Sequence, residues 1–195
     1  MQVDGERFAV VTVDVLQRLN LHVGDPLLAG MASQLLSEAE ALATYDRAVR
    51  MLTSRGRSGR DLQRRLTMKG EKPEHAAAAV ERLRAQGHLD DTTFARARAR
   101  SGLARNGRRR VESDLRQQGV ERNTAREAVD HVVVEAGIDG KEQAKEVALK
   151  RVKSLARLDD ATRRRRLHGF LGRRGFTPDE IRLAVAAALA TLPKS

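Results

Sequence analysis

The sequence predicts an all-α protein: three tandem three-helix repeats that stack into an elongated, curved array, preceded by a small N-terminal extension containing a short β-hairpin. Three observations carry this. The first is a repeat that becomes visible when the chain is aligned on Gly70, Gly119 and Gly175. Eight residues before each glycine stands Leu62, Val111 or Leu167, and four before stands Leu66, Leu115 or Leu171. Six after stands Ala76, Ala125 or Ile181; ten after, Val80, Val129 or Val185; thirteen after, Leu83, Val132 or Ala188. All are apolar, and the periods of 49 and 56 residues suit helical repeats. The second is composition: with 3% aromatic residues the core must be built mainly from Leu, Val and Ala, which suits helices packed through small side chains. The third is the recurrence of helix-start signals and of glycines placed where helices stop.

In order, residues 1–36 form the extension. Val3 and the run Phe8–Val13 around Asp4-Gly5 suggest the hairpin, Val15, Leu16 and Leu19 suggest one or two helical turns, and Gly24-Asp25-Pro26 breaks them. Repeat 1 covers 37–87. Its long first helix begins near Ser33 and runs to about Ser54; Ser58, with Asp61 three residues on, starts the second, which ends at Gly70; Pro73 opens the third, which ends at Gly87.

Repeat 2 covers 88–137. Asp90 is the expected N-cap, with Leu89 and Phe94 spaced as a hydrophobic staple, and the helix runs to about Arg105. Asn106-Gly107 is a turn signal, the arginines Arg108–Arg110 follow as a basic turn, and a helix carrying Val111 and Leu115 stops at Gly119. Repeat 3 covers 138–195. Asp159-Asp160 repeats the capping device, and Thr177, Pro178 and Glu180 make a capping box with Phe176 and Ile181 as its staple. Each repeat is stabilised mainly by its neighbours, so the units extend in series.

Composition and missing motifs exclude much chemistry. With no cysteine, disulfides, thiol catalysis and Cys-based zinc sites are ruled out. Neither a G-x-x-x-x-G-K-[ST] loop nor a G-x-S-x-G elbow occurs. His22, His75, His88, His131 and His168 lack metal-ligand spacing, and Asp90-Asp91 is better explained by helix capping than by a metal. We therefore expect no enzyme activity, cofactor or metal. The longest apolar run, Ala184–Leu192, is too short to span a bilayer, and the polar N-terminus is unlike a signal peptide, so a cytoplasmic protein is expected.

The positive signal is charge. The net charge is +11, with residues 1–36 near −2 and the remainder near +13. Such a balance points to a polyanionic or acidic partner. Ten residues before each internal glycine stands Arg60, Arg109 or Arg165, about 200° around the helix from the apolar residue two positions later and so turned away from the core. Further arginines flank them: Arg57, Arg64 and Arg65; Arg108 and Arg110; Arg163, Arg164 and Arg166; and Arg173-Arg174 beside the last glycine. With repeats in register these form an interrupted basic stripe. Arginine suits phosphate because its planar fork donates two hydrogen bonds at once.

The candidate nucleic-acid or filament-binding set is Arg57, Arg60, Arg64, Arg65, Arg108, Arg109, Arg110, Arg165, Arg166, Arg173 and Arg174. The competing readings are a solvated basic face without a fixed partner and a helix-turn-helix reader of duplex DNA. Against the reader, the last helices Ala76–Ala85 and Ile181–Leu192 offer few side chains able to read base edges. With one tyrosine and no tryptophan, stacking platforms are scarce as well. Nucleic-acid contact is thus expected at the backbone, salt-sensitive and weakly sequence-specific.

These motifs resemble the RecX family of regulators of the RecA recombinase. The resemblance rests on Arg57-Ser58 with Leu62, Leu66 and Gly70; on Gly87-His88-Leu89-Asp90-Asp91 with Phe94-Ala95; on Gly107 with Arg110-Val111, Leu115 and Gly119; and on Arg173-Arg174-Gly175-Phe176. It covers roughly residues 40–190, and the G-x-L-D-D-x-x-F-A element is fairly specific. Members often carry an aromatic where His88 stands and a tyrosine where Arg98 stands, so contacts through those rings are not carried over. The resemblance implies three tandem three-helix repeats and no enzymatic activity. It implies binding to RecA and to its filament on single-stranded DNA, with suppression of ATP hydrolysis, strand exchange and the self-cleavage RecA promotes in repressors. Partners are then RecA, its nucleoprotein filament and single-stranded DNA, with duplex DNA as a further backbone ligand and no membrane; a monomer is expected. The alternative function is a helix-turn-helix-like transcription regulator.

Overall fold

The structure, a computed structural model, describes residues 1–191. Residues 192–195, the expected end of repeat 3 and of the last apolar run, lie outside the described residues. Ten α-helices follow a two-stranded ribbon: β1 (Gln2–Val3), β2 (Glu6–Arg7), α1 (Val13–Arg18), α2 (Ala29–Ser54), α3 (Gly59–Met68), α4 (Pro73–Ala85), α5 (Asp91–Leu103), α6 (Arg108–Gln117), α7 (Arg122–Glu135), α8 (Gly140–Val152), α9 (Asp160–Arg173) and α10 (Pro178–Ala190) among the described residues. A 3-10 turn, Lys153–Leu155, follows α8. The chain is all-α apart from the ribbon, as expected, and it divides into two compact units between Asp90 and Asp91.

The repeat is present in three dimensions. In each of three sets the first helix packs chiefly on the third: α2 on α4, α5 on α7, and α8 on α10. The middle helices α3, α6 and α9 close the sets; α3 and α6 are short, at 10 residues each, and α9 has 14. All fifteen aligned apolar residues are buried. They divide among three clusters, one containing Leu62, Leu66 and Val80, one Val111, Leu115 and Val129, and one Leu167, Leu171 and Val185. Leu89 belongs to the first cluster and Phe94 flanks the second. The three reference glycines adopt φ of +90°, +86° and +79°, the left-handed conformation that ends the middle helices.

Local signals explain most helix starts. The Ser58 hydroxyl accepts from the Asp61 N–H at 3.2 Å, and an Asp159 carboxylate oxygen accepts from the Thr162 N–H at 2.9 Å. Hydrogen bonds from Thr162, its backbone N–H first, hold the Asp159 carboxyl below the ordinary aspartate range. The expected capping box is complete: the Thr177 N–H donates to Glu180 at 2.7 Å and the Glu180 N–H to the Thr177 hydroxyl at 3.3 Å.

Four boundaries differ from the sequence reading. The second strand is Glu6–Arg7 rather than Phe8–Val13. Asp4 and Gly5, both at positive φ, make a two-residue turn, so pairing resumes at once with Val3 opposite Glu6. Helix α2 starts at Ala29 instead of near Ser33, just beyond the Gly-Asp-Pro break, and no side chain caps it. Helix α5 stops at Leu103, two residues earlier than expected. Arg108–Arg110 are not a basic turn; they are the first turn of α6, entered from an extended Gly107. Arginine is a good helix former, and the bend needed at Asn106-Gly107 is complete before Arg108.

Candidate nucleic-acid interface

The aligned arginines behave as the helical rotation requires. Arg60, Arg109 and Arg165 are all exposed, two residues before the buried Leu62, Val111 and Leu167. None of the three has an ion-pair partner among the described residues. The same holds for Arg166 and Arg173, which are also exposed.

The rest of the set is held by the protein itself. Asp61, buried in the first turn of α3, collects three guanidinium groups: Arg64 at 2.6 Å, Arg65 at 2.8 Å and Arg57 at 3.2 Å. Burial pushes the Asp61 carboxyl up, but the hydrogen bonds from Arg65, Arg64 and Arg57 together outweigh it and hold it below the ordinary range. Arg57 is the least available, with 16% of its side chain exposed. Arg108 pairs with Asp130 across from α6 to α7, and Arg110 with Asp114 at 3.0 Å one turn along α6. Arg174 donates to the Arg105 carbonyl and lies over the Phe170 ring at 4.8 Å.

Arg163, grouped in sequence with the exposed arginines, is buried. Its Nε donates to the Leu158 carbonyl at 2.6 Å and its guanidinium pairs with Asp160 at 3.0 Å. The signal was legible: Arg163, Leu167 and Leu171 fall at successive i, i+4 places, so one face of α9 carries all three.

Within the second unit, two repeats meet through backbone. The Gly107 N–H donates to the Arg174 carbonyl at 2.8 Å. A Cβ on Gly107 would lie 2.6 Å from the Gly175 oxygen, and one on Gly175 would lie 2.3 Å from the Arg110 nitrogen. Only glycine fits on either side of this clasp. It brings α6 beside the end of α9 and opens a cleft of about 410 Å³ where Arg109, Arg110 and Arg173 converge with His168. Arg165 and Arg166 do not line it. Sequence reasoning missed Ser113, His168 and Gly172 as lining residues. Only Gly172 left a mark, as a glycine inside a helix where the other copies carry Thr67 and Arg116.

Comparison with known proteins places this architecture. Residues 90–129 match the family model of the second three-helix domain of RecX, and residues 139–185 that of the third. A Regulatory protein RecX from Halorhodospira halophila is 36% identical over 156 residues, covering 78% of this chain and 94% of the relative. The chain belongs to the RecX family of regulatory proteins. A second RecX relative, from Chromobacterium violaceum, is 33% identical over 148 residues, covering 76% of this chain and 92% of its own. A solved structure described as regulatory protein RecX superposes with a TM-score of 0.79 at 21% identity, covering 93% of this chain and 91% of that one, a likeness of fold. The second RecX domain thus carries Arg108–Arg110 and the third carries Arg163–Arg166 and Arg173-Arg174, so the clasp and its cleft lie where these two domains meet. No helix among the described residues is long and apolar enough to cross a membrane.

Proposed function

We propose that this protein regulates the RecA recombinase without being an enzyme itself. In this reading it binds RecA and the RecA filament on single-stranded DNA, and it lowers ATP hydrolysis, strand exchange and the repressor self-cleavage that RecA promotes. It acts in the cytoplasm as a monomer. The supporting observation is membership of a family whose named relatives are regulatory proteins, matched over 78% of this chain and 94% of one relative.

DNA contact is made at the phosphate backbone by the exposed arginines that have no ion-pair partner among the described residues: Arg60, Arg109, Arg165, Arg166 and Arg173. Arginines already bound to Asp61, Asp130 or Asp114 contribute less, because each must first leave an acidic partner. Such contacts carry little sequence information and weaken steeply with salt.

The test is DNA-dependent ATP hydrolysis by the cognate recombinase, titrated with this protein below stoichiometry. Inhibition is expected, and the ratio required separates end-capping from coating. Unchanged hydrolysis, together with tight binding to one duplex sequence in the absence of recombinase, would instead establish a transcription regulator.

A further inference from the structure

The cleft between α6 and α9 is more than a patch of positive charge. Arg109 and Arg173 stand at its rim without an ion-pair partner among the described residues, and no acidic side chain lines it. Its floor is apolar: the exposed Pro178 lines it together with the small exposed edges of Phe176 and Ile181, which are 3% and 4% exposed. Its walls are fixed by the Gly107–Gly175 clasp, so the arginines are carried on elements that cannot slide apart without breaking backbone contacts.

Gly172 adds a separate observation. It lies in α9, near the end of the helix, where glycine costs about 1 kcal/mol relative to alanine. Nothing lies within 4 Å of a Cβ built there, so the packing of this chain does not require it. The missing side chain leaves open space on the cleft wall.

We infer that this cleft is a nucleotide site for single-stranded DNA: Arg109 and Arg173 hold a backbone phosphate, and the attached sugar and base lie against Pro178 and the exposed edges of Phe176 and Ile181. A bare phosphate would leave the apolar floor unused, and an uncharged apolar ligand would leave two guanidinium groups unpaired. A peptide laid on that floor would lose water from its N–H groups with no carboxylate in the lining to accept from them, whereas a base presents an apolar π-face. The inference rests on the DNA-contact part of the function proposed above and gives it a defined place.

The experiment measures binding of fluorescent oligothymidylate by the full-length protein, with anisotropy read across a salt series. Gly172→Phe fills the cleft without altering charge and is expected to weaken binding about tenfold. Arg109→Ala with Arg173→Ala is expected to weaken it by a similar factor and to lower the log–log salt slope by about 1.4. Arg64→Ala with Arg65→Ala, which do not line the cleft and are held by Asp61, should change affinity less than about twofold. Circular dichroism checks the fold, and Gly172→Leu, a better helix former, replaces the phenylalanine variant if helicity falls.

Wild-type affinity in a folded cleft-filling variant overturns the nucleotide site. If that variant still binds oligothymidylate normally but no longer captures DNA-free recombinase, the cleft takes an acidic protein segment, and the nucleotide assignment is equally overturned. Recombinase ATPase assays separate this from the functional reading. Inhibition by the wild type with unchanged oligonucleotide binding by Gly172→Phe rejects only the cleft. Lost oligonucleotide binding by the variant, with no inhibition by the wild type, rejects only the regulator.

Discussion

The two compact units use arginine in opposite ways. Residues 1–90 carry 13 Lys and Arg against 12 Asp and Glu, whereas residues 91–195 carry 24 against 14, so nearly all the net charge of +11 belongs to the second unit. In the first unit basic side chains are largely consumed: Asp61 holds three arginines, Glu71 holds Arg47 at 2.8 Å, and Glu40 holds Lys72 at 2.5 Å. In the second, Arg109, Arg165, Arg166 and Arg173 remain unpaired among the described residues. Arg60 shares the spacing and the free state of Arg109 and Arg165, but the arginines around it are braced on Asp61, whereas Arg166 and Arg173 stay available in the last repeat. A tally of basic residues overstates the first unit as a polyanion surface.

The turn glycines test this difference most severely. Gly70 and Gly175 occupy equivalent places with φ of +90° and +79°. A Cβ on Gly70 meets nothing within 4 Å, so Gly70→Ala should cost only the left-handed strain, about 1–2 kcal/mol. Gly175→Ala adds a collision with the α6 backbone, so about 3 kcal/mol or more is expected, and the clasp with Gly107 should open. Urea unfolding of both variants measures the gap. Equal losses would mean that the clasp contributes nothing to the second unit.

Nucleic-acid binding sharpens the contrast next. Replacing Arg109, Arg165 and Arg173 by alanine should reduce affinity for single-stranded DNA about a hundredfold and lower the log–log salt slope by about 2. Replacing Arg60, Arg64 and Arg65 should cost only a few-fold in affinity, since only Arg60 of these is unpaired. Both triple variants should keep wild-type helicity. If the two lose affinity equally, the acidic partners do not restrain the first unit's arginines.

Much of this was legible in the sequence. Fifteen apolar places and three glycines, fixed by a single alignment, are all buried or left-handed as the repeat requires. They were readable because helical periodicity is local and was written three times. The division of the arginines was less readable, because pairing depends on which acid reaches which base in space. Arg64 and Arg65 find Asp61 within one helix, which i, i+3 and i, i+4 spacing does signal. Arg108 finds Asp130 on another helix, which no local pattern reveals. Nor does spacing show that Gly107 and Gly175, 68 residues apart, share a backbone contact; each reads separately as a turn glycine.

Asp61 itself is the next lever. Asp61→Asn should destabilise the protein by about 1–2 kcal/mol at neutral pH, because three guanidinium groups lose a carboxylate and the first turn of α3 loses a negative charge. The carboxyl is held below its ordinary value of 3.8, so its contribution is present above that pH and is lost as pH falls through the lower folded value. Unfolding free energies of wild type and Asp61→Asn should therefore differ at pH 7 and converge under acid conditions. The variant should also bind single-stranded DNA slightly more tightly, because it releases Arg64 and Arg65 to behave as the second unit's arginines do.

The smallest effect has the opposite sign. Gly172→Ala adds a helix-favouring methyl group in space that nothing occupies, so it should stabilise the second unit by about 0.5–1 kcal/mol and raise its melting temperature by a few degrees. The first unit has no matching opportunity, since Thr67 already fills the equivalent place in α3. A gain in stability would show that the fold tolerates a side chain at Gly172 and that the glycine is kept for what enters the cleft beside it. A loss would mean that the helix end needs glycine for its own geometry, and the open wall of the cleft would then be a by-product of packing.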